Sequence, residues 1–297
     1  MTDKNIQESQ GFDRTHAFLL IVHNDPLMFT RLARHLQRCG AIYVHVDAKE
    51  DIKQYQQLVP DATYMEERTN VKWGSWELVD VSARLMDLAL ANSSTERLTL
   101  LSGVHYPLVT PSQMKSDSRV RGDSIASRPA PNQPGGSKSE KDYERRWVRF
   151  LQPKTKAHTV AQFLVNRVWY LGRPLKWRNV APLTGMRAGS GWWSLTRPTS
   201  EYMVRRIQNG GPLIEYFKKI MVADEKIFAT LYGELTQLQC QDGTSYVSWR
   251  SRSAHPDPLQ LSDLIEAQAE GKFWFARKFN SQNTELLDYL DETLDQG

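Results

Sequence analysis

Cysteine is nearly missing from this 297-residue chain, which has only Cys39 and Cys240. That excludes a disulfide framework and fits a reducing compartment, with room for at most one bridge. Long apolar runs are missing too. Ala17 to Val22 is far too short to cross a bilayer. The start, MTDKNIQESQGFDRTH, is polar and shows no signal-peptide pattern. A cytoplasmic protein is therefore expected, with peripheral contact at the inner face of the membrane as the one membrane role left open. Net charge is also slight, at +4. It accommodates an anionic ligand such as a nucleotide diphosphate without calling for a nucleic-acid surface.

Familiar short motifs are absent as well. The chain has no G-x-G-x-x-G, Walker A loop, H-E-x-x-H, C-x-x-C or G-x-S-x-G, and no metal-ligand cluster. No two aspartates stand as Asp-x-Asp, the pair with which many nucleotide-sugar enzymes hold a divalent cation on the donor diphosphate. An enzyme of that kind without the pair must offset the departing charge with Arg or Lys. Arg250, Arg252, Arg277 and Lys278 are available in the C-terminal part. No metal ion and no other cofactor is expected.

What is present reads as a globular α/β protein. Hydrophobic residues at 40% and charged residues at 24% provide for a sizeable core. AFLLIV (17–22) is a strand buried on both faces. The turn HNDP leads into a helix marked by Phe29, Leu32, Ala33 and Leu36. AIYVHV (41–46) is a second buried strand, ending in Asp47. Strand, helix, strand predicts a parallel pair with a right-handed crossover, whose ligands bind at the carboxyl ends of the strands. His23, Asn24 and Asp47 stand there, although Asp47 also reads as an ordinary turn residue. A weak strand at 62–65, a Gly-centred loop NVKWGSW (70–76) and a helix from Glu77 to about Ala91 follow. LTLL (98–101) is another buried strand. It empties into SGVHYPL, either a ligand loop carrying Ser102 and Gly103 or a plain turn.

Residues 1–15 read as a polar tail and 16–297 as a single domain. The Pro-, Gly- and Ser-rich stretch around 116–142 reads as a mobile insertion in that domain. Tyr143 to Trp177 is basic and aromatic. It is a solvated face with inward Trp stems, or a groove for an anionic or lipid-linked acceptor. GSGWWSLT (189–196) joins a flexible turn to a strand whose alternation sends Trp192 and Trp193 to opposite faces. One indole then serves the core and the other a sugar.

The chemistry concentrates at MVADEKIFATL (221–231). Ile227 and Leu231, with Phe228 and Tyr232, recur at helical spacing, so Asp224 is the N-cap or first turn of a packed helix. Glu225 at its mouth, half shielded from water, suits a general base. The plainer reading is that both acids complement the helix dipole.

Seven stretches in order, AFLLIVHNDP, IYVHVDAK, VKWGSWELV, LLSGVHYPL, GSGWWSLTR, ADEKIFATL and FARKF, resemble the core-2/I-branching enzyme family of glycosyltransferases. That family includes β-1,6-N-acetylglucosaminyltransferases and peptide O-xylosyltransferases. The resemblance runs from about His16 to Phe279. It implies a modified GT-A fold, a Rossmann-like mixed sheet flanked by helices. It also implies an inverting, metal-independent transferase that moves N-acetylglucosamine or a xylose-like sugar from a UDP-sugar. The acceptor would be a hydroxyl of a glycan, lipid-linked or protein acceptor, in surface glycan or polysaccharide synthesis. On this resemblance Glu225 is the catalytic base and Lys278 contacts the donor diphosphate. Arg250 or Arg252 fills the role of the family's second basic residue. Val22, His23 and Asp47, with Ser102 and Gly103, line the nucleotide pocket. The segment from Glu144 through Arg149 to Phe150 resembles the family's acceptor-lining stretch, and Trp192 or Trp193 would form a platform for the acceptor sugar. Ala223 stands where a proline is commoner. The missing anchor and cysteines point to a bacterial-type member.

Two rivals remain at this level. One is a two-carboxylate glycoside hydrolase in which Glu225 has no convincing partner. The other is a carbohydrate- or nucleotide-binding module without turnover.

Overall fold

The computed structural model of the protein describes residues 15–129, 164, 185–220, 222–236, 242–249 and 256–296. Among these the elements run β1 (His16–Val22), α1 (Pro26–Gln37), β2 (Ala41–Val46), α2 (Ile52–Leu58), β3 (Thr63–Tyr64), α3 (Trp76–Leu90), β4 (Arg97–Ser102), β5 (Tyr106–Pro107), α4 (Pro111–Val120) and β6 (Ser124–Pro129). Then come β7 (Arg187–Thr196), α5 (Arg197–Gln208), α6 (Pro212–Phe217), α7 (Asp224–Leu235), β8 (Ser245–Val247), α8 (Leu261–Glu270), β9 (Phe275–Arg277) and α9 (Thr284–Asp295). The chain divides into two compact units. One takes Met1–Arg68, Leu88–Gly122 and Ser245–Gly297, the other Thr69–Asp87 and Asp123–Thr244. Because chain segments alternate between the units, no shift in composition along the sequence marks the division.

In the first unit β1 pairs in parallel with β2 on one side and β4 on the other, and β3 joins β2, also in parallel. Every residue of β1 and β4 is buried, which is why apolar residues fill consecutive positions in both and do not simply alternate with polar ones. Asp25 starts α1: its carboxylate accepts the Met28 N–H at 3.1 Å, and Pro26 occupies the first turn. The helix buries Met28, Phe29, Leu32 and Leu36, each contributing about 1.5–3 kcal/mol by leaving water. A second, short sheet in the same unit runs β5-β9-β8.

α9 is tied to α1 by charge. Asp291 accepts from Arg31 at 2.7 Å, from His35 Nε2 at 2.7 Å and from the Tyr106 hydroxyl. Arg34 and Arg38 both reach Asp295. Burial keeps the His35 imidazole below its ordinary value and so neutral near pH 7, despite the facing carboxylate. Burial opposes ionisation of Asp291 as well, but the hydrogen bonds from Tyr106, His35 and Arg31 prevail and hold its carboxyl below the usual range.

Part of the stretch expected as a mobile insertion is regular structure. Residues 116–120 finish α4 and 124–129 form β6. Arg97, buried on β4, explains part of this: its guanidinium hydrogen-bonds the carbonyls of Ser118 at 3.1 Å and Gly122 at 3.3 Å. Trp274 Nε1 adds a bond to Asp117 at 3.1 Å. The polar residues that mimic a loop are the ones a distant arginine and indole hold. Residues 130–142 lie outside the described residues.

In the second unit β6 and β7 pair antiparallel, with a register shift between Ile125 and Ser127. α7 packs on β7. Trp193 lies against Phe228 with ring centroids 5.4 Å apart, and both are fully buried. Among the described residues no helix is long and apolar enough to cross a membrane.

Candidate active site

Three strand ends meet in the first unit. Past the end of β2 the Asp47 N–H bonds the Val22 carbonyl at 2.9 Å, extending the parallel ladder by one step. Past β4 the Gly103 N–H reaches the Ile21 carbonyl at 3.3 Å. Gly103 lies close against β1: a Cβ there would sit 3.3 Å from Val22 Cγ1, a tight contact. The turn after β1 takes an unusual backbone: Asn24 and Asp25 both have positive φ, at 55° and 44°. Asn and Asp tolerate that conformation better than most residues. The Tyr55 hydroxyl donates to the Asn24 carbonyl at 3.0 Å and fixes the turn.

The segment after β9 is pinned to two of these loops. The Phe279 N–H bonds the Val104 carbonyl at 3.0 Å, and the Ser281 N–H bonds Asp25 Oδ2 at 2.7 Å. Lys278 lies immediately before these anchors. It therefore stands with the loops after β1 and β4, at the carboxyl ends where α/β sheets receive ligands. Burial lowers the Lys278 pKa from its ordinary value, and the neighbouring Arg277 charge lowers it further.

Under this corner sits His105, which sequence reasoning did not single out. Its Nδ1 accepts the Ser102 N–H at 3.0 Å and lies 2.9 Å from Ser102 Oγ. Complete burial pushes its pKa well below the usual histidine value, and the positive charges of Arg277 and Lys278 act in the same direction. The imidazole is neutral and latches the Ser102-Gly103 loop from below. The signal in the sequence was Ser-x-x-His, too common to act on.

The remaining donor-pocket residues divide by exposure. His23 is exposed and open to a ligand. Val22 is 1% exposed and Ser102 7%, so both shape the floor and present little side-chain surface. Asp47 takes up its turn role: Oδ1 accepts the Lys49 N–H at 3.0 Å and Oδ2 lies 3.5 Å from Lys49 Nζ. Arg250, Arg252, Glu144 and Arg149 lie outside the described residues.

In the second unit Asp224 and Glu225 open α7 in its first turn. Ala223, not Asp224, is the N-cap. Glu225 is half-buried, while Asp224 is 8% exposed and packed over Gly191 of β7. A Cβ on Gly191 would come within 2.7 Å of Asp224 Oδ2, so this glycine is what lets the helix mouth approach the strand. Val222, just before the helix, has φ 54°, a conformation that β-branched residues avoid. Its N–H is held by the Gly74 carbonyl at 2.8 Å. Strain held by surrounding structure in this way is typical of functional sites.

The expected Trp192 and Trp193 platform is corrected in part. Gly191 and Trp193 both meet α7, while Trp192 between them, in the stretch where the β7 register shifts, stays half-buried. Trp193 has no exposed surface and cannot stack on a sugar; its bulk fills the space between β7 and α7.

With this geometry in view, the sequence pattern described as Core-2/I-Branching enzyme matches residues 16–269. The chain belongs to the Core-2/I-branching enzyme family. It is accordingly a glycosyltransferase, and its α/β architecture with a parallel sheet is that of a GT-A-like fold. A comparison with curated proteins finds no match. The family match covers the elements bearing His23, Ser102, Gly103 and Glu225. It stops before β9, so Lys278 rests on its position between the Val104 and Asp25 anchors and on the resemblance of FARKF.

Proposed function

We propose that this Core-2/I-branching enzyme is an inverting transferase that moves a sugar from a UDP-sugar to an acceptor hydroxyl without a metal ion. The observation that carries the reading is the setting of Lys278 among the loops after β1 and β4, pinned through Phe279 and Ser281. A cation fixed there offsets the charge that grows on a departing diphosphate, and it needs no reorganisation to do so. Arg277, next to it, adds to the field. The absence of any Asp-x-Asp pair in the full sequence supports the metal-free form of the reaction.

Glu225 takes the part of general base. Half-buried at a helix mouth, it removes the acceptor proton as the hydroxyl attacks the anomeric carbon from the face opposite the diphosphate. One bond forms as the other breaks, and the configuration inverts to a β-linked product. Transfer of N-acetylglucosamine or xylose to a surface glycan fits the family resemblance.

The test is a thermal-shift screen with UDP, UDP-N-acetylglucosamine and UDP-xylose, each with and without EDTA. Proton NMR of the product then follows for the donor that shifts the melting curve. Stabilisation by UDP that survives EDTA, with a β-anomeric product, is the expected result. Loss of activity in EDTA that manganese restores, an α-linked product, or release of free sugar without nucleotide would each overturn the proposal.

A further inference from the structure

The residues Lys72 to Ser75 form a tight turn in the second unit. The Lys72 carbonyl accepts the Ser75 N–H at 3.1 Å and the Ser75 hydroxyl at 2.6 Å. Gly74 has φ 67°, the conformation that a type II turn demands at its third position. Trp73 therefore occupies the second, outward-pointing position, and 62% of it is exposed. An indole this exposed presents a flat apolar face to solvent on which a ring can stack. The same turn holds the base helix, because its Gly74 carbonyl takes the Val222 N–H, three residues ahead of Glu225. Along that path the Cα atoms of Trp73 and Glu225 are at most about 20 Å apart, within the reach of a short oligosaccharide.

We infer that Trp73 is a specificity-determining acceptor residue: its indole stacks on the pyranose ring next to the one that Glu225 deprotonates. This deepens the transferase reading and rests on it for the role of Glu225. A pyranose carries a face of C–H groups that lies flat on an aromatic ring, and an indole offers the largest such surface among the side chains. The Gly74 hydrogen bond ties the turn that carries the platform to the segment that leads into the base. An acceptor at least two sugars long fills both positions, and a monosaccharide leaves the indole bare.

The experiment compares wild type, Trp73→Ala and Trp73→Phe by saturation-transfer NMR titration with cellotriose, xylotriose, chitotriose and N-acetyllactosamine. UDP is titrated into each protein in parallel. Because Trp73 is exposed, the variants should melt like the wild type, and a melt of each checks this. At least one of the four sugars should bind the wild type, more weakly by on the order of tenfold in Trp73→Ala. Trp73→Phe should keep most of that affinity, and UDP should bind all three proteins alike. Equal sugar affinity in wild type and Trp73→Ala overturns the inference. So does a parallel fall in UDP affinity, or binding of none of the four sugars to the wild type. Absence of UDP binding to every protein, wild type included, counts instead against the transferase reading, while the sugar titration still decides on Trp73.

Discussion

Gly191→Ala adds a single methyl group where α7 meets β7. The added Cβ would lie 2.7 Å from Asp224 Oδ2 and 3.5 Å from Asp224 Cγ. Ordinary contact begins at 3.4 Å, so the carboxylate or the whole first turn must withdraw by about 0.7 Å. Asp224 is 8% exposed and cannot simply swing into solvent. Glu225 is the next residue, so a withdrawal of the first turn carries the base with it. Misplacing a catalytic group by on the order of 1 Å costs up to about 100-fold in rate. Overpacking at such a site costs about 1–3 kcal/mol of stability. The assay is steady-state transfer with the donor selected by thermal shift, with UDP affinity measured alongside. The expected outcome is kcat lowered by about 10- to 100-fold, a modestly lower Tm and unchanged UDP affinity. Gly122→Ala is the control, since a Cβ there meets nothing within 4 Å. Wild-type kcat in Gly191→Ala would refute the reasoning, because the approach of Asp224 to the strand would then have no bearing on the base.

Further expected outcomes concern Lys278 and Asp291. Lys278→Ala should weaken UDP binding by about tenfold or more, as expected when a charged hydrogen-bonding partner is lost. Burial and Arg277 lower the Lys278 pKa, so the ammonium is lost as pH rises through a value below 10.5. UDP affinity measured by calorimetry should therefore fall in the alkaline range, and Lys278→Arg should flatten that fall. Asp291→Ala strips the shared acceptor from Arg31, His35 and Tyr106 and should cost about 3 kcal/mol in chemical denaturation. The Asp291 carboxyl is held below its ordinary value, so its stabilisation is full above about pH 4 and is lost as pH falls through the lowered value. The wild type should lose stability over that acid range more steeply than the variant.

Much of the fold was legible because its central strands are buried on both faces. β1, β2 and β4 appear in the sequence as mainly apolar runs, and their carboxyl ends pointed to His23, Asp47 and Ser102. α7 was legible from the spacing of Ile227, Phe228, Leu231 and Tyr232. What escaped depends on long-range partners. Residues 116–122 look like a linker until Arg97 and Trp274 bind them. Trp192 and Trp193 are adjacent in sequence, and only the packing of Phe228 shows which one is buried. His105 reads as an ordinary polar residue until the strand end brings the Ser102 N–H onto its ring. Trp73 was visible as one of two indoles in a Gly-centred loop, but nothing local connects that loop to Val222.

The most direct test of the account is turnover by Glu225→Gln set against its UDP affinity. The substitution keeps the shape of the side chain and removes its ability to take a proton. Transfer should fall by on the order of 1,000-fold while UDP binds nearly as in the wild type. Near-normal turnover in that variant would contradict the assignment of Glu225 as the base.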